Sequence, residues 1–124
     1  MTKILLLMIL CHIIDDFVLQ PVCLSKLKQK KTWEELEDWC GLYEHDYIMA
    51  LFIHALSWAI MIHLPIIFML NPDDGSLFFS VLINMGIHAA IDNAKANLHT
   101  LNLVADQTLH LCQIIITYIL FTMP

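Results

Sequence analysis

The sequence predicts an all-α integral membrane protein, a four-helix bundle with an interfacial amphipathic helix in its first loop. Of its 124 residues, 59% are hydrophobic and 15% are charged, whereas soluble domains contain about 45–50% apolar and about 25% charged residues. The mean hydropathy is +0.70, and four long apolar stretches divide the chain. So little polar surface argues against a water-soluble globule, and the length allows one domain.

The four apolar stretches are predicted to cross the membrane as helices over residues 4–20, 47–70, 77–95 and 101–121. A bilayer core about 30 Å thick needs about 20 helical residues. The second stretch is the strongest candidate, because its only ionisable side chains besides Tyr47 are His54 and His63. By length alone, the first and third stretches also fit buried helices of a soluble bundle. The second stretch disfavours that alternative, because it has no polar stripe.

The first connection, residues 21–46, is predicted to contain a helix over 33–44. Thr32 and Glu35 have the spacing of a capping box, which marks the start of a helix. Apolar side chains then recur at helical spacing with acidic side chains between them. We expect this helix to lie in the membrane interface with its tryptophans at headgroup depth. The alternative is a capping helix that carries no chemistry.

The charges of the chain predict its partners and its orientation. The net charge is −6, and no basic patch is large enough to hold a phosphate backbone, so nucleic acid is not an expected partner. Membrane lipid is the expected partner.

The first and third loops carry five of the lysines, while Lys3 stands alone near the start. Positive loops face the cytoplasm, so both termini are predicted to lie outside it.

A repeated spacing carries the candidate chemistry. Three of the predicted spans each place one imidazole and one carboxylate four residues apart, which puts both on one helix face. Those pairs are His12 and Asp16, His88 and Asp92, and Asp106 and His110. Together with His54 they fall within one layer about 10 Å thick near the cytoplasmic side. Scattered polar residues would not share a depth across four helices.

The pairs predict a divalent metal site. A carboxylate in a span is costly, about 2.5–3.5 kcal/mol on insertion scales, and three of them repel one another unless they are protonated or bound to metal. Nitrogen and oxygen ligands suit zinc, manganese or iron better than calcium. The predicted ligands are His12, Asp16, His88, Asp92, Asp106 and His110. A hydrogen-bonded His–Asp network and a proton or ion pathway are the alternatives.

Other polar residues receive separate predictions. Supporting or substrate-binding roles are predicted for Gln20, His54, Asn97 and Gln107. Asp15 is rotated by about 100° from Asp16 on a regular helix, so it is interpreted as a boundary residue. His63 lies in the opposite half of its helix and is predicted to be structural.

The three motifs resemble the hallmarks of a bacterial and phage membrane family, domain-of-unknown-function family 3307. They are HIIDDFVLQ at 12–20, HAAIDNAK at 88–95 and DQTLH at 106–110. His54 matches the histidine of that family at the head of its second helix. Asp15, in place of a small residue, and the acidic insert over 33–46 depart from the pattern. The resemblance implies the bacterial inner membrane but no activity. The helices are also similar to the His-x-x-x-Asp helices of membrane-bound metal-dependent hydrolases.

Two functions of different classes fit these residues. The first is an intramembrane metal-dependent hydrolase of a phospholipid or lipid-linked headgroup near the cytoplasmic face. Its predicted catalytic residues are Asp16, Asp92 and Lys95, with a carboxylate as general base and the lysine stabilising negative charge. The second is a non-enzymatic protein whose cluster binds metal or staples the bundle, and which acts through a second copy or another membrane protein. Whether the protein is an enzyme stays open at this point.

Overall fold

The computed structural model describes residues 2–20, 22–35 and 43–123, and every regular element in these ranges is helical. The all-α prediction is therefore confirmed. The elements are α1 (Thr2–Ile13), a π-helical turn (Ile14–Leu19), α2 (Val22–Leu27), α3 (Lys30–Glu34), α4 (Asp46–Leu70), α5 (Asp74–Ala96) and α6 (Leu103–Thr122).

Three helices in the described part of the chain are long and apolar enough to cross a membrane. They are α4, α5 and α6, with 25, 23 and 20 residues. The first predicted span differs from these, because its regular helix α1 has 12 residues and continues as the π-helical turn. A crossing by this first segment and the orientation of the termini stay predictions.

The helix α4 lies at the centre of the bundle, packing against α1, α5 and α6. An apolar core fills the end of the bundle where α1 begins, built around Ile4, Met8, Trp58, Ile62 and Ile114. The contact between α5 and α6 is much less extensive than the contact between α4 and α5. The helix α5 is therefore held mainly through α4, whereas α6 packs mainly against α5 and α1.

Short polar caps set the turns between the three long helices. Asn71 ends α4 in the left-handed region with φ 47°, a common way to close a helix. The side chain of Asp73 accepts a hydrogen bond from the Ser76 backbone N–H at 2.8 Å and so caps α5. Asn102 caps α6 through the Ala105 N–H at 2.9 Å. These turns fix the antiparallel order of α4, α5 and α6.

The first connection departs from the predicted helix over 33–44. The helix α3 begins at Lys30 and ends at Glu34, so Thr32 lies inside it and not at its N-cap. The reason is a cap supplied from elsewhere, because Oδ1 of Asn97 accepts a hydrogen bond from the Lys30 backbone N–H at 2.7 Å. Residues 36–42 of the predicted helix lie outside the described residues, and 43–45 form a turn.

Candidate metal centre

The polar side chains of the three motifs converge at one end of the bundle. This group, called the His/Asp cluster below, lies between the π-helical turn, α4, α5 and α6. Each of its side chains is at most 9% exposed. Its members are His12, Asp15, Asp16, His54, His88, Asp92, Asp106 and His110.

Side-chain atoms in the centre of the cluster have the spacing of ligands around one ion. Nε2 of His54 lies 3.3 Å from Oδ1 of Asp16 and 3.5 Å from Oδ2 of Asp92. Nε2 of His110 lies 3.6 Å from Oδ1 of Asp92, and Nε2 of His88 lies 3.8 Å from its Oδ2. Ligands about 2.0–2.1 Å from a tetrahedral ion lie about 3.3 Å from one another. These distances are thus compatible with a shared divalent ion.

The ligand atoms form two groups of three that share one histidine. One group contains Asp16, His54 and His88, and the other contains His88, Asp92 and His110. Within each group the ligand atoms lie within 4.8 Å of one another. The two groups thus have the imidazole of His88 in common.

Many polar atoms of this centre lack a hydrogen-bond partner among the described residues. No hydrogen-bond partner is found among the described residues for either ring nitrogen of His88, for either ring nitrogen of His110, or for Oδ1 of Asp16. Buried polar groups are normally paired, and one left unpaired costs about 1–3 kcal/mol. Unpartnered nitrogen and oxygen atoms at ligand spacing are what a cation-binding centre requires.

Asp15 belongs to this cluster, so its interpretation as a boundary residue was wrong. In the π-helical turn the Gln20 N–H donates to the Asp15 carbonyl at 3.0 Å, five residues back. The wider turn rotates successive residues by less than a regular helix does, so Asp15 and Asp16 both face inward. Oδ1 of Asp15 accepts a hydrogen bond from the Ser57 hydroxyl at 2.6 Å. Such π-turns are frequent at functional sites.

His12 lies in the cluster but is not arranged as a ligand, in contrast to its predicted role. Its Nδ1 accepts a hydrogen bond from Nε1 of Trp58 at 2.8 Å. Its Nε2 therefore carries the proton and donates to Oε1 of Gln107 at 3.2 Å. Both nitrogens of His12 are thus engaged, and the imidazoles in the groups that could hold a metal ion are those of His54, His88 and His110.

Two lysines contact the carboxylates of the cluster, and neither pairing was predicted. Nζ of Lys95 lies 2.6 Å from Oδ2 of Asp106. Oδ1 of Asp106 has no hydrogen-bond partner among the described residues, and the ligand role of this carboxylate stays a prediction. Asp92 is instead paired with Lys28 of α2, whose Nζ lies 2.5 Å from its Oδ2. In the sequence, Lys28 is one of the five lysines of the first and third loops.

The charges in the cluster leave a deficit of positive charge. Four carboxylates face two lysines, so the sum is −2 when the imidazoles are neutral. One divalent cation would balance this sum. The carboxylates are those of Asp15, Asp16, Asp92 and Asp106.

Trp58 is a further component of the cluster's surroundings, and it was not among the predicted site residues. Its ring stacks on the imidazole of His88 with centroids 4.2 Å apart, and His88 stacks on His110 at the same distance. These contacts fix the planes of the two unpartnered imidazoles. A usable signal was present, because Trp58 lies one helical turn after His54 and therefore on the same face.

The predicted supporting residues lie in two places. His54 is part of the cluster, and Gln107 donates from Nε2 to Oδ2 of Asp106 at 3.0 Å. Asn97 lies outside the cluster and holds the arm formed by α2 and α3, since its Nδ2 donates to the Lys28 carbonyl at 3.1 Å. In the amide orientation that satisfies both neighbours, the Gln20 carbonyl accepts from Nζ of Lys28 at 2.6 Å.

The whole described bundle matches a known family. A model described as a protein of unknown function (DUF3307) covers residues 4–124. The chain belongs to this family. No curated protein and no solved structure matches the chain. The DUF3307 resemblance is thus confirmed, while the similarity to metal-dependent hydrolases is left to the proposal below.

Proposed function

We propose that this DUF3307 protein is an intramembrane metal-dependent hydrolase acting on a phospholipid or lipid-linked headgroup near the cytoplasmic face. The observation that carries the proposal is the pair of unpartnered imidazoles, His88 and His110, with the Asp92 carboxylate at ligand spacing from both. The net charge of the cluster supports a divalent ion. Zinc, manganese and iron accept this mixture of imidazole and carboxylate ligands.

Different residues of the cluster would act as metal ligands and as the general base in hydrolysis. His88, Asp92 and His110 would hold the ion from α5 and α6, with His54 of α4 in a supporting position, its Nε2 3.5 Å from Oδ2 of Asp92. Three protein ligands and an open position are typical of catalytic zinc sites. A bound ion lowers the pKa of a coordinated water. Asp16, whose Oδ1 has no partner among the described residues, is the proposed general base.

Lys95 is the proposed contact for the phosphate of a headgroup. Its side chain is 37% exposed, whereas that of Lys28 is 9% exposed. It is therefore the more accessible of the two lysines that contact the cluster. An ammonium at the rim can stabilise the negative charge that develops on a phosphate during hydrolysis.

A second candidate function is a non-catalytic metal centre that fastens the bundle. Burial favours it, because the side chains of His88 and His110 are fully buried. The contacts of the cluster join the π-helical turn, α2, α4, α5 and α6, so an ion there would tie these elements together. In this function the protein would act through membrane-protein partners or a second copy.

Two measurements on detergent-purified protein test the proposal. Elemental analysis is expected to find about one divalent ion per chain. Reconstitution into vesicles of phosphatidic acid and phosphatidylglycerol is then expected to release phosphate or glycerol phosphate. Metal without turnover of any headgroup supports the fastening function and overturns the hydrolase. Absence of metal, with melting unchanged by chelator, overturns both.

A further inference from the structure

A groove of about 740 Å³ runs between α5 and α6, from Asp73 to the level of Ile91 and Leu109, and no member of the His/Asp cluster is among its described lining residues. It exists because α5 packs mainly against α4 and only lightly against α6. Its walls are mostly apolar and include Ile83, Ile87 and Ile116. At the end where α5 begins, Asp73 and Ser76 line it. Neither the motifs nor the proposed hydrolase uses this groove.

We propose that the groove binds one hydrocarbon chain of a phospholipid whose headgroup carries an ammonium, such as phosphatidylethanolamine. The ammonium lies at the carboxylate of Asp73, and the hydrocarbon chain runs along α5 and α6 toward the interior of the membrane. This site is separate from the hydrolase, since its entrance at Asp73 lies at the end of α5 opposite to His88 and Asp92 and its described lining contains no member of the His/Asp cluster.

The dimensions of the groove suit one extended hydrocarbon chain. From Ser76 to Ile91 its lining extends over about 22 Å at 1.5 Å per residue. A volume of about 740 Å³ spread along that length makes the groove long and narrow. An extended hydrocarbon chain has this shape.

The lipid around the protein would supply such a hydrocarbon chain. Both walls belong to helices of spanning length, and the wall residues Ile83 and Ile116 are exposed in the isolated protein. In a membrane these side chains face hydrocarbon. A groove left empty would lose the dispersion contacts of its walls, whereas one extended chain restores them along the whole length.

The charge at the groove entrance selects the headgroup. Oδ1 of Asp73 accepts the Ser76 backbone N–H, so Oδ2 stays available to a cation. This hydrogen bond lowers the pKa of Asp73 and keeps it anionic. No lysine is among the described residues that line the groove, and Lys3, which also lies at this end, belongs to α1. A negative entrance attracts an ammonium and repels a net anionic headgroup.

The headgroup is tested with Asp73→Asn and the matched control Asp74→Asn. Asp74 is the adjacent carboxylate and does not line the groove. Asparagine caps helices about as well as aspartate, so Asp73→Asn removes the charge and keeps the start of α5. Each protein is incubated in equimolar phosphatidylethanolamine and phosphatidylglycerol, and the retained lipid is measured by native mass spectrometry. We expect Asp73→Asn to lower the ethanolamine-to-glycerol ratio about two- to fivefold, the range of an exposed ion pair.

The hydrocarbon chain is tested with Ile116→Trp, which fills the groove, and Ile115→Trp, which adds the same volume outside it. We expect Ile116→Trp to retain about one lipid fewer per protein chain, with Ile115→Trp unchanged. Equal retention by all proteins would overturn the proposal. So would equal lipid ratios in the two aspartate variants, or a dimer that only Ile116→Trp disrupts.

Discussion

Two histidines of this bundle have the same burial but opposite surroundings. His63 of α4 and His88 of α5 are both fully buried in helices of spanning length. His63 donates from Nδ1 to the Ala59 carbonyl at 2.7 Å and accepts at Nε2 from the Ser80 hydroxyl at 2.8 Å. Both nitrogens of His88 lack a partner among the described residues. Burial is equal, so the difference lies in hydrogen bonding alone.

The comparison separates a structural histidine from a candidate ligand. In a medium of low polarity, a polar group is stable when it is paired. His63 is paired and neutral, and it needs no ion. His88 stacks on Trp58 and approaches Asp92, but only a ligand would engage its lone pair. Four predictions test this contrast between paired and unpaired polar groups, and they are given from the largest expected effect to the smallest.

The largest effect is expected on bound metal. We expect His88→Gln to lower the divalent metal content at least tenfold, because it removes the imidazole shared by both groups of ligand atoms. His63→Gln is the control and should retain metal. It should melt at a lower temperature, because the hydrogen bonds of the His63 ring with the Ala59 carbonyl and the Ser80 hydroxyl are lost, at about 0.5–1.5 kcal/mol each. Elemental analysis and thermal melting of both variants provide the measurement.

Removing the metal with a chelator tests the same distinction between His63 and His88. A ligand that binds only the folded state stabilises it by about 2.7 kcal/mol at 100 times its Kd. Removing metal should therefore lower the melting temperature of the wild type and of His63→Gln but leave His88→Gln unchanged. Equal metal content in the two variants would contradict the distinction between the two histidines.

The next effect is expected at Lys28. Its side chain and that of Asp92 form a buried ion pair, and breaking such a pair from one side costs about 3–5 kcal/mol. We expect Lys28→Met to destabilise the protein by an amount in this range. Lys31→Met is the control, because the exposed pair of Lys31 with Glu35 contributes about 0–1 kcal/mol. Addition of Asp92→Asn to Lys28→Met should recover part of the loss, and a double variant no more stable than Lys28→Met would contradict the pairing.

Hydropathy and helical spacing together predicted most of this architecture. The apolar stretches located α4, α5 and α6 to within a few residues, because an unbroken apolar run has few alternatives to a helix. The spacing of four located His88 and Asp92 on one face of α5. The family match over residues 4–124 agrees with the three motifs quoted above.

What spacing did not predict depends on local geometry and on the path of the chain. Asp15 faces inward because the helix widens into a π-turn, and no periodicity of 3.6 residues can signal that change. Lys28 reaches Asp92 because Asn97 holds the α2–α3 arm against the end of α5. That contact joins residues 64 positions apart. Pairings of this kind follow from tertiary structure and leave no local pattern.

The third effect distinguishes the enzyme from the fastening centre. We expect Lys95→Met to lower turnover at least tenfold while metal content is retained. Its effect on stability should be about 1–2 kcal/mol, below that of Lys28→Met, because the Lys95 side chain is partly exposed and solvent weakens the pair. Asp106 also keeps the hydrogen bond from Gln107. A loss of stability equal to that of Lys28→Met, with turnover per folded molecule unchanged, would favour fastening.

The smallest effect is expected at His12, which has the paired nitrogens of His63 but the position of His88. Trp58→Phe removes the N–H that Nδ1 of His12 accepts and keeps an aromatic ring beside His88. We expect metal affinity to fall about tenfold, the lower end of what groups that orient ligands contribute. The nitrogen NMR shifts of His12 should show that Nδ1 no longer accepts a hydrogen bond.

Trp33→Phe is the matched control for this last substitution. It removes a hydrogen bond of the same length, 2.8 Å, from Trp33 Nε1 to the Leu27 carbonyl in the α2–α3 arm. Metal affinity and the His12 signals should not change in this variant. If Trp58→Phe and Trp33→Phe bind metal equally well, the bond from Trp58 stabilises only the fold. If only Trp58→Phe weakens binding, a paired histidine contributes to the centre by fixing the neighbours of the unpaired ones.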